Sequence, residues 1–483
     1  MKWHQLFFWL LLALLPTQLG LHFWPEWAGV LGRRVDYLAP TVYLTDIVLL
    51  ATLISWGLES FFRIRIQELG IRKKLKQNHI SFPTLIHNSK FVIPLLIVTA
   101  VNIFVAENRN VAVYSWIKAG EFVLLGWYVV RTRPTLSAIC WPLAVGVLYS
   151  SVLAITQFAL QHSVGGPLWW LGERTFAADT PGIARASLCQ WVNASWIGCP
   201  EFLRPYATFP HPNVLGGFLA AVLSLVIISR EAGSRSARQY SNNPIIQLSN
   251  KKKFFYLMTF VLGAVALLLT FSRSAIMVGG VAMVIAIARS MNYARPERSR
   301  RELRIMKSIR IAVASFVGIV IVVLTSYFMI HNQSEESVVV RQQLNAAAIK
   351  LWQSAPLFGV GLGNFLVRLP EALPSRTIYF LQPVHNIYLL LLSEVGVVGI
   401  GLIVLFGLWW ANHELRIRNY EKTKHKELFI LHTSLFAILV LGLVDHYPLT
   451  LQQGQLLLTV IAGMSLREVR EVQKVREVRE VKK

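Results

Sequence analysis

The feature that most constrains this chain is the recurrence of apolar runs of about 17 to 25 residues, since roughly 20 residues at about 1.5 Å rise are what an α-helix needs to cross a bilayer's hydrocarbon core. The runs are Gln5–Leu21, Leu38–Leu58, Phe91–Val105, Val111–Val130, Leu136–Leu160, Asn213–Ser229, Phe254–Thr270, Ser274–Ala288, Ile311–Ile330, Asn386–Trp410, Leu428–Val444 and Leu449–Ser465. They predict an all-α, polytopic membrane bundle of about twelve transmembrane helices, with a large outer-face loop carrying amphipathic helices. A chain of 483 residues that is 54% hydrophobic and only 15% charged, with a mean hydropathy of +0.50, is too apolar for a soluble domain of this size. Its length is used mainly on spans, so one membrane domain over residues 1–465 is expected, followed by a charged cytoplasmic tail at 466–483.

The tail repeats Val at 469, 472, 475, 478 and 481. A three-residue step makes these valines spiral round a helix instead of forming one stripe, so the tail reads as low-complexity and non-catalytic. A net charge of +23 would suggest nucleic acid as partner in a soluble protein, but the distribution argues otherwise. If the first span runs from inside to outside, 36 of the 48 Lys and Arg fall in cytoplasmic segments, which is the positive-inside pattern. Both termini are then cytoplasmic, and the basic loops meet anionic lipid, not nucleic acid. Lys2 precedes a Leu-rich stretch that resembles a signal peptide, yet no small-x-small cleavage site follows, so a retained first helix is expected. Of the three cysteines, Cys140 lies in a span, whereas Cys189 and Cys199 share an outward loop where an oxidising compartment could join them.

Two long segments are expected outside the membrane. The first, 161–211, is rich in Trp (Trp169, Trp170, Trp191, Trp196), residues that serve either as an interfacial belt or as platforms for sugar rings. The second, 331–384, leads into a stretch that turns from polar to apolar at His385 and Asn386. Within it Leu344, Ala348, Leu351, Trp352 and Ala355 recur at steps of three and four, an amphipathic surface helix that carries Arg341 and ends before Pro356. Gly359, Gly361 and Gly363 follow, permitting a tight turn or backbone amides exposed to an anion.

Arg273 sits at the turn between two spans, where a guanidinium usually faces a cavity or a partner, or snorkels to headgroups. At the mouth of the next span, His385 is the candidate general base, because neutral imidazole titrates near working pH. At 100° per residue His385, Tyr388, Gly396 and Gly399 share one helix face, and the glycines would admit a close neighbour. Glu394 falls opposite and reads as a structural partner in the bundle. Lys118 and Glu121, one turn apart, can neutralise each other, and Asp445 and His446 end the eleventh span and could orient a substrate or another helix. No DxD, HExxH or Ser/His/Asp arrangement is visible, so metal-assisted transfer is disfavoured and no cofactor is expected.

Four pieces in order, ATFPHPNVLGGFLA (207–220), FSRSA (271–275), RQQLNAAAIKLWQSAPLFGVGLGNF (341–365) and PVHNIYLLLLSEVGVVGIG (383–401), resemble the O-antigen ligase and polymerase superfamily of bacterial membrane glycosyltransferases. The resemblance implies an enzyme of the bacterial cytoplasmic membrane. It would pass a glycan from a polyprenyl diphosphate carrier to an acceptor hydroxyl on glycan, lipid or protein at the outer face, without a metal. Carried over by motif, Arg273 and Arg341 would hold the diphosphate and His385 would assist the attacking hydroxyl, with Asn386, Tyr388, Asn213, Asp445 and His446 in support. Ligase, polymerase and protein O-oligosaccharyltransferase differ in the acceptor. A different class, a transporter for an anion or lipid-linked sugar, would use the same arginines to line a path and His385 to relay protons. A membrane scaffold would need none of them.

Overall fold

The computed structural model describes residues 2–68, 92–187, 200–238, 245–291, 336–373, 381–417 and 425–480. The expected span Ile311–Ile330, together with Cys189, Cys199, Trp191 and Trp196, lies outside these residues. The chain is predominantly helical. Among the described residues the helices are α1 (Trp3–Ala13), α2 (Leu44–Glu68), α3 (Val92–Val105), α4 (Arg109–Thr132), α5 (Leu136–Leu160), α6 (Pro212–Arg238), α7 (Ile245–Leu269), α8 (Arg273–Met291), α9 (Glu336–Ser354), α10 (Phe365–Ala372), α11 (Ile387–Ile417), α12 (His425–Leu441), α13 (Tyr447–Thr450) and α14 (Gln452–Glu480). Local chemistry sets several boundaries. The Asn108 side chain accepts from Val111 N (3.2 Å) to start α4, and Thr135 accepts from Ala138 N (3.2 Å) to start α5.

Among the described residues four helical stretches are long and apolar enough to cross a membrane: Leu44–Phe62, Leu136–Leu160, Lys251–Leu269 and Ile387–Leu408. Shorter apolar helices include Val92–Val105, Pro212–Ile227, Arg273–Ile287 and Leu428–Leu441. The main core lies where α6 packs against α5, α7, α8 and α12, with Leu215, Leu219, Leu223 and Val226 fully buried. A second core joins α9, α10 and the Ala28–Ala39 segment through Leu344, Leu351, Phe365 and Leu38. The stripe read from the sequence of α9 is therefore present, with Leu344, Ala348 and Leu351 buried.

Two expected spans start or end elsewhere. Instead of continuing to Leu21, α1 stops at Ala13, ahead of Pro16, and Gly20–His22 forms a strand antiparallel to Thr41–Tyr43, with Gly20 opposite Tyr43 and His22 opposite Thr41. The same strand delays α2 to Leu44, six residues beyond the expected start at Leu38. The third difference is a break inside α11 at Gly396 (φ 65°, ψ −172°). Into this break fits the glycine loop after α9. Val360 N donates to Ser393 O (2.9 Å), Gly361 N to Glu394 O (3.0 Å), Val397 N to Pro356 O (2.9 Å) and Val398 N to Leu357 O (3.1 Å). Irregular backbone is tolerated at membrane depth only when its polar groups are satisfied by protein in this way. The neighbour that approaches Gly396 is thus a loop, not a helix. Gly361 N is spent on that loop's bond to Glu394 O, and Gly359 N donates to Ala355 O (2.9 Å).

Candidate functional site

The ends of α6, α8, α11 and α12 bring a set of ionisable side chains together. Asp445 and His446 sit in the turn between α12 and α13, both buried, and the His446 backbone N–H donates to Asp445 Oδ1 (2.8 Å). The other carboxylate oxygen accepts from Asn213 Nδ2 (3.4 Å), and Asn213 Oδ1 in turn accepts from Arg204 Nη2 (2.6 Å). Arg204 Nε donates to Thr270 O (2.7 Å), which ties the group to the turn that precedes Arg273. A continuous chain of bonds therefore runs from the Thr270–Arg273 turn through Arg204 and Asn213 to Asp445.

His385 faces this group. Its ring lies edge-on to that of His446, with centroids 5.1 Å apart, and its Nδ1 is buried without a hydrogen-bond partner. The His446 ring also meets that of Tyr37 edge-on, with centroids 5.5 Å apart, and His446 Nδ1 shares a 2.6 Å hydrogen bond with Thr450 Oγ1. His211 accepts at Nδ1 from Asn213 N (3.1 Å), so that nitrogen carries no proton.

The electrostatics follow from burial and crowding of cations. Burial pushes His385 down to about 3, with His446, Arg341 and His211 adding to the effect and Asp445 opposing it. His211 falls to about 4, by burial and then by Arg204. Arg204 is lowered to about 10, chiefly by burial, with the neighbouring Arg273 guanidinium contributing and Tyr206 and Asp445 opposing. Burial alone would raise Asp445, but His446, His385 and Arg341 together hold it below the usual carboxylate range. The histidines are accordingly neutral at physiological pH, and Asp445 is ionised among fixed positive charge.

Beside the cluster lies a cavity of about 910 Å³. His211, Asn213, His385, Asp445 and His446 line it, whereas Arg204, Arg273 and Arg341 do not. Arg273 and Arg341 are nonetheless close enough to act on the cluster, Arg273 through Arg204 and Arg341 on His385, Asp445 and His446. Asn386 and Tyr388 are occupied otherwise. Asn386 Oδ1 caps α11 by accepting from Tyr388 N (2.9 Å) and Leu389 N (3.1 Å), and the Tyr388 hydroxyl donates to Leu439 O (2.9 Å). Glu394 is a structural partner, accepting from Phe365 N at 3.3 Å, and Lys118 bonds Glu121 (2.6 Å) and also Asp46 (2.8 Å). Among the described residues no group of three His, Cys, Asp or Glu is arranged to hold a metal ion.

Sequence reading overlooked Arg204 and His211. Both flank or fall in the ATFPHPN piece, Arg204 three residues ahead of it, so the signal was proximity to a quoted motif.

A family model described as O-Antigen ligase (Wzy_C) matches residues 258–404, a stretch that contains Arg273, Arg341 and His385. No curated protein matches the chain.

Proposed function

We infer, for a chain that carries this O-antigen ligase segment of the ligase and polymerase superfamily and whose apolar helices mark an integral membrane protein, transfer of a glycan from a polyprenyl diphosphate to an acceptor hydroxyl. The observation that carries the reading is the meeting of His385, on a cavity wall, with an arginine cluster that reaches it through Arg341 and reaches Asp445 through Arg204 and Asn213. In the proposed step the acceptor oxygen forms a bond to the anomeric carbon while the bond from that carbon to the diphosphate oxygen breaks. The electron pair leaves on the carrier diphosphate, and the hydroxyl proton passes to His385. Arg273, Arg341 and Arg204 stabilise the charge that gathers on the leaving group, a task for which preorganised guanidiniums suffice without a metal ion. His446 packs edge-on against the His385 ring, and the Asp445 carboxylate compensates the imidazolium that forms. Asn213 links the two halves of the site.

The test is reconstitution of the full chain with a lipid-linked oligosaccharide and candidate acceptors, wild type against Arg273→Ala, Arg341→Ala and His385→Ala. Each arginine change should lower transfer by about 10² to 10³ and His385→Ala by about 10² to 10⁴, with normal folding. Carrier translocation without bond formation would favour the transporter reading instead. A requirement for a divalent ion would undo the metal-free step.

A further inference from the structure

The cavity itself differs in character from the arginine cluster, none of whose members lines it. Its Lys and Arg lining among the described residues is Lys118 and Arg174, the first ion-paired to two carboxylates and the second bonded to Pro210 O (3.2 Å). Against these stand Asp36, Glu173, Glu394 and Asp445 on the same walls. With carboxyl groups outnumbering lysine and arginine, this lining is a poorer seat for a diphosphate than the guanidinium cluster. What it offers is neutral hydrogen-bonding capacity and aromatic surface. Gln452, buried at the start of α14, and Gln18 each have a side-chain carbonyl oxygen without a hydrogen-bond partner. Both residues line the cavity. A buried carbonyl with no partner is suited to a hydroxyl donor. At the mouth stands Trp169, 52% exposed, its ring perpendicular to that of Trp170 at 5.0 Å. The loop that presents them is fixed: the Glu173 carboxylate accepts from Val164 N (2.7 Å), Gly165 N (2.8 Å) and Gln157 Nε2 (2.8 Å). A Cβ at Gly172 would lie 2.6 Å from Gln18 N, so the loop seats directly on the segment that carries Gln18.

We propose that this cavity is the acceptor-sugar site, with Trp169 stacking on a pyranose ring at the mouth and Gln452 and Gln18 bonding its hydroxyls deeper in, so that the attacking hydroxyl meets His385 on the cavity wall. The proposal rests on the transferase reading above and adds to it which wall receives which substrate. An aromatic face takes the C–H side of a sugar, and amide groups take its hydroxyls. The donor's anionic part stays with the guanidiniums.

The experiment uses the full chain in detergent and a panel of methyl hexopyranosides as probes. Binding is followed by saturation-transfer NMR, and inhibition of glycan transfer is measured against each substrate in turn. At least one glycoside should bind and should compete with the acceptor, not with the lipid-linked donor. Trp169→Ala, at an exposed position that leaves the core intact, and Gln452→Leu should each weaken that binding by about tenfold, while His385→Ala keeps the binding and loses transfer. Binding untouched by both Trp169→Ala and Gln452→Leu, competition with the donor alone, or no glycoside bound to wild type would each overturn the proposal. Transfer that survives His385→Ala would instead strike the functional reading, whatever the glycosides do.

Discussion

At the scale of single residues the informative quantity is the basicity of His385. An imidazole pushed down to about 3 is neutral and free to accept a proton, yet it is a weak base, and general-base catalysis is best when the pKa lies near the working pH. Part of that depression comes from positive charge, including Arg341. A diphosphate bound by the arginines would bring negative charge close to the ring, and an anion nearby favours imidazolium, so the pKa must rise. The donor would thereby make its own base stronger. The expected outcome is a kcat/KM for donor that shows no acid limb between pH 8 and about 5, while kcat at saturating donor acquires one shifted upward by about one unit or more. Asp445→Asn removes the group that opposes the depression and should move the kcat limb to lower pH. Steady-state rates across pH decide the matter, and identical limbs near the ordinary histidine value in both parameters would contradict it.

At the scale of elements the decisive feature is the break in α11 and the loop that fills it. Reading the sequence at 100° per residue placed Gly396 and Gly399 on the face of His385, which presumes an unbroken helix, and Gly396 ends that assumption with φ 65°. The glycines of the loop were legible as turn residues, but not their partner, because bonds such as Gly361 N to Glu394 O join positions whose nearness periodicity does not express. Their conformational demands are specific. A Cβ at Gly396 would lie 2.3 Å from Leu357 O, and one at Gly359 (φ +69°) would lie 2.3 Å from Glu394 C. Left-handed backbone costs a non-glycine residue about 1–3 kcal/mol before any clash is counted. Gly396→Ala and Gly359→Ala should therefore each lower thermal stability in detergent by at least that amount. Gly401→Ala, where a Cβ meets nothing within 4 Å, should leave it unchanged. Equal melting of all three variants would mean that the loop does not fill the helix.

For the whole molecule, the helical class and the amphipathic α9 were legible because each depends on a local period, and His385, Asp445 and His446 because they sit at a change from polar to apolar sequence. The cavity was not legible. Its walls come from Gln18, Trp169, His385 and Gln452, four segments that only the packing of α1, α5, α11 and α14 region brings together. Likewise the N-terminal strand pair hid inside two apolar runs, since Leu and Val serve a strand as well as a helix. The charge pattern makes a claim about the whole molecule that the fold leaves open to test. With 36 of 48 Lys and Arg on one set of loops, insertion in the opposite sense would carry most of the basic blocks across the bilayer, against the bias that sets orientation. The end of the bundle that holds His385 and Trp169 should then face away from the cytoplasm, the side from which the proposed donor and acceptor would enter. In a background with Cys189 and Cys199 replaced by Ser and the buried Cys140 retained, a cysteine at the exposed Asp179 (Asp179→Cys) should react with a membrane-impermeant maleimide added to intact cells with a permeabilised outer envelope. Lys483→Cys should react only after the cytoplasmic membrane is opened. The reverse pattern would invert the topology, and with it the side from which both proposed substrates must enter.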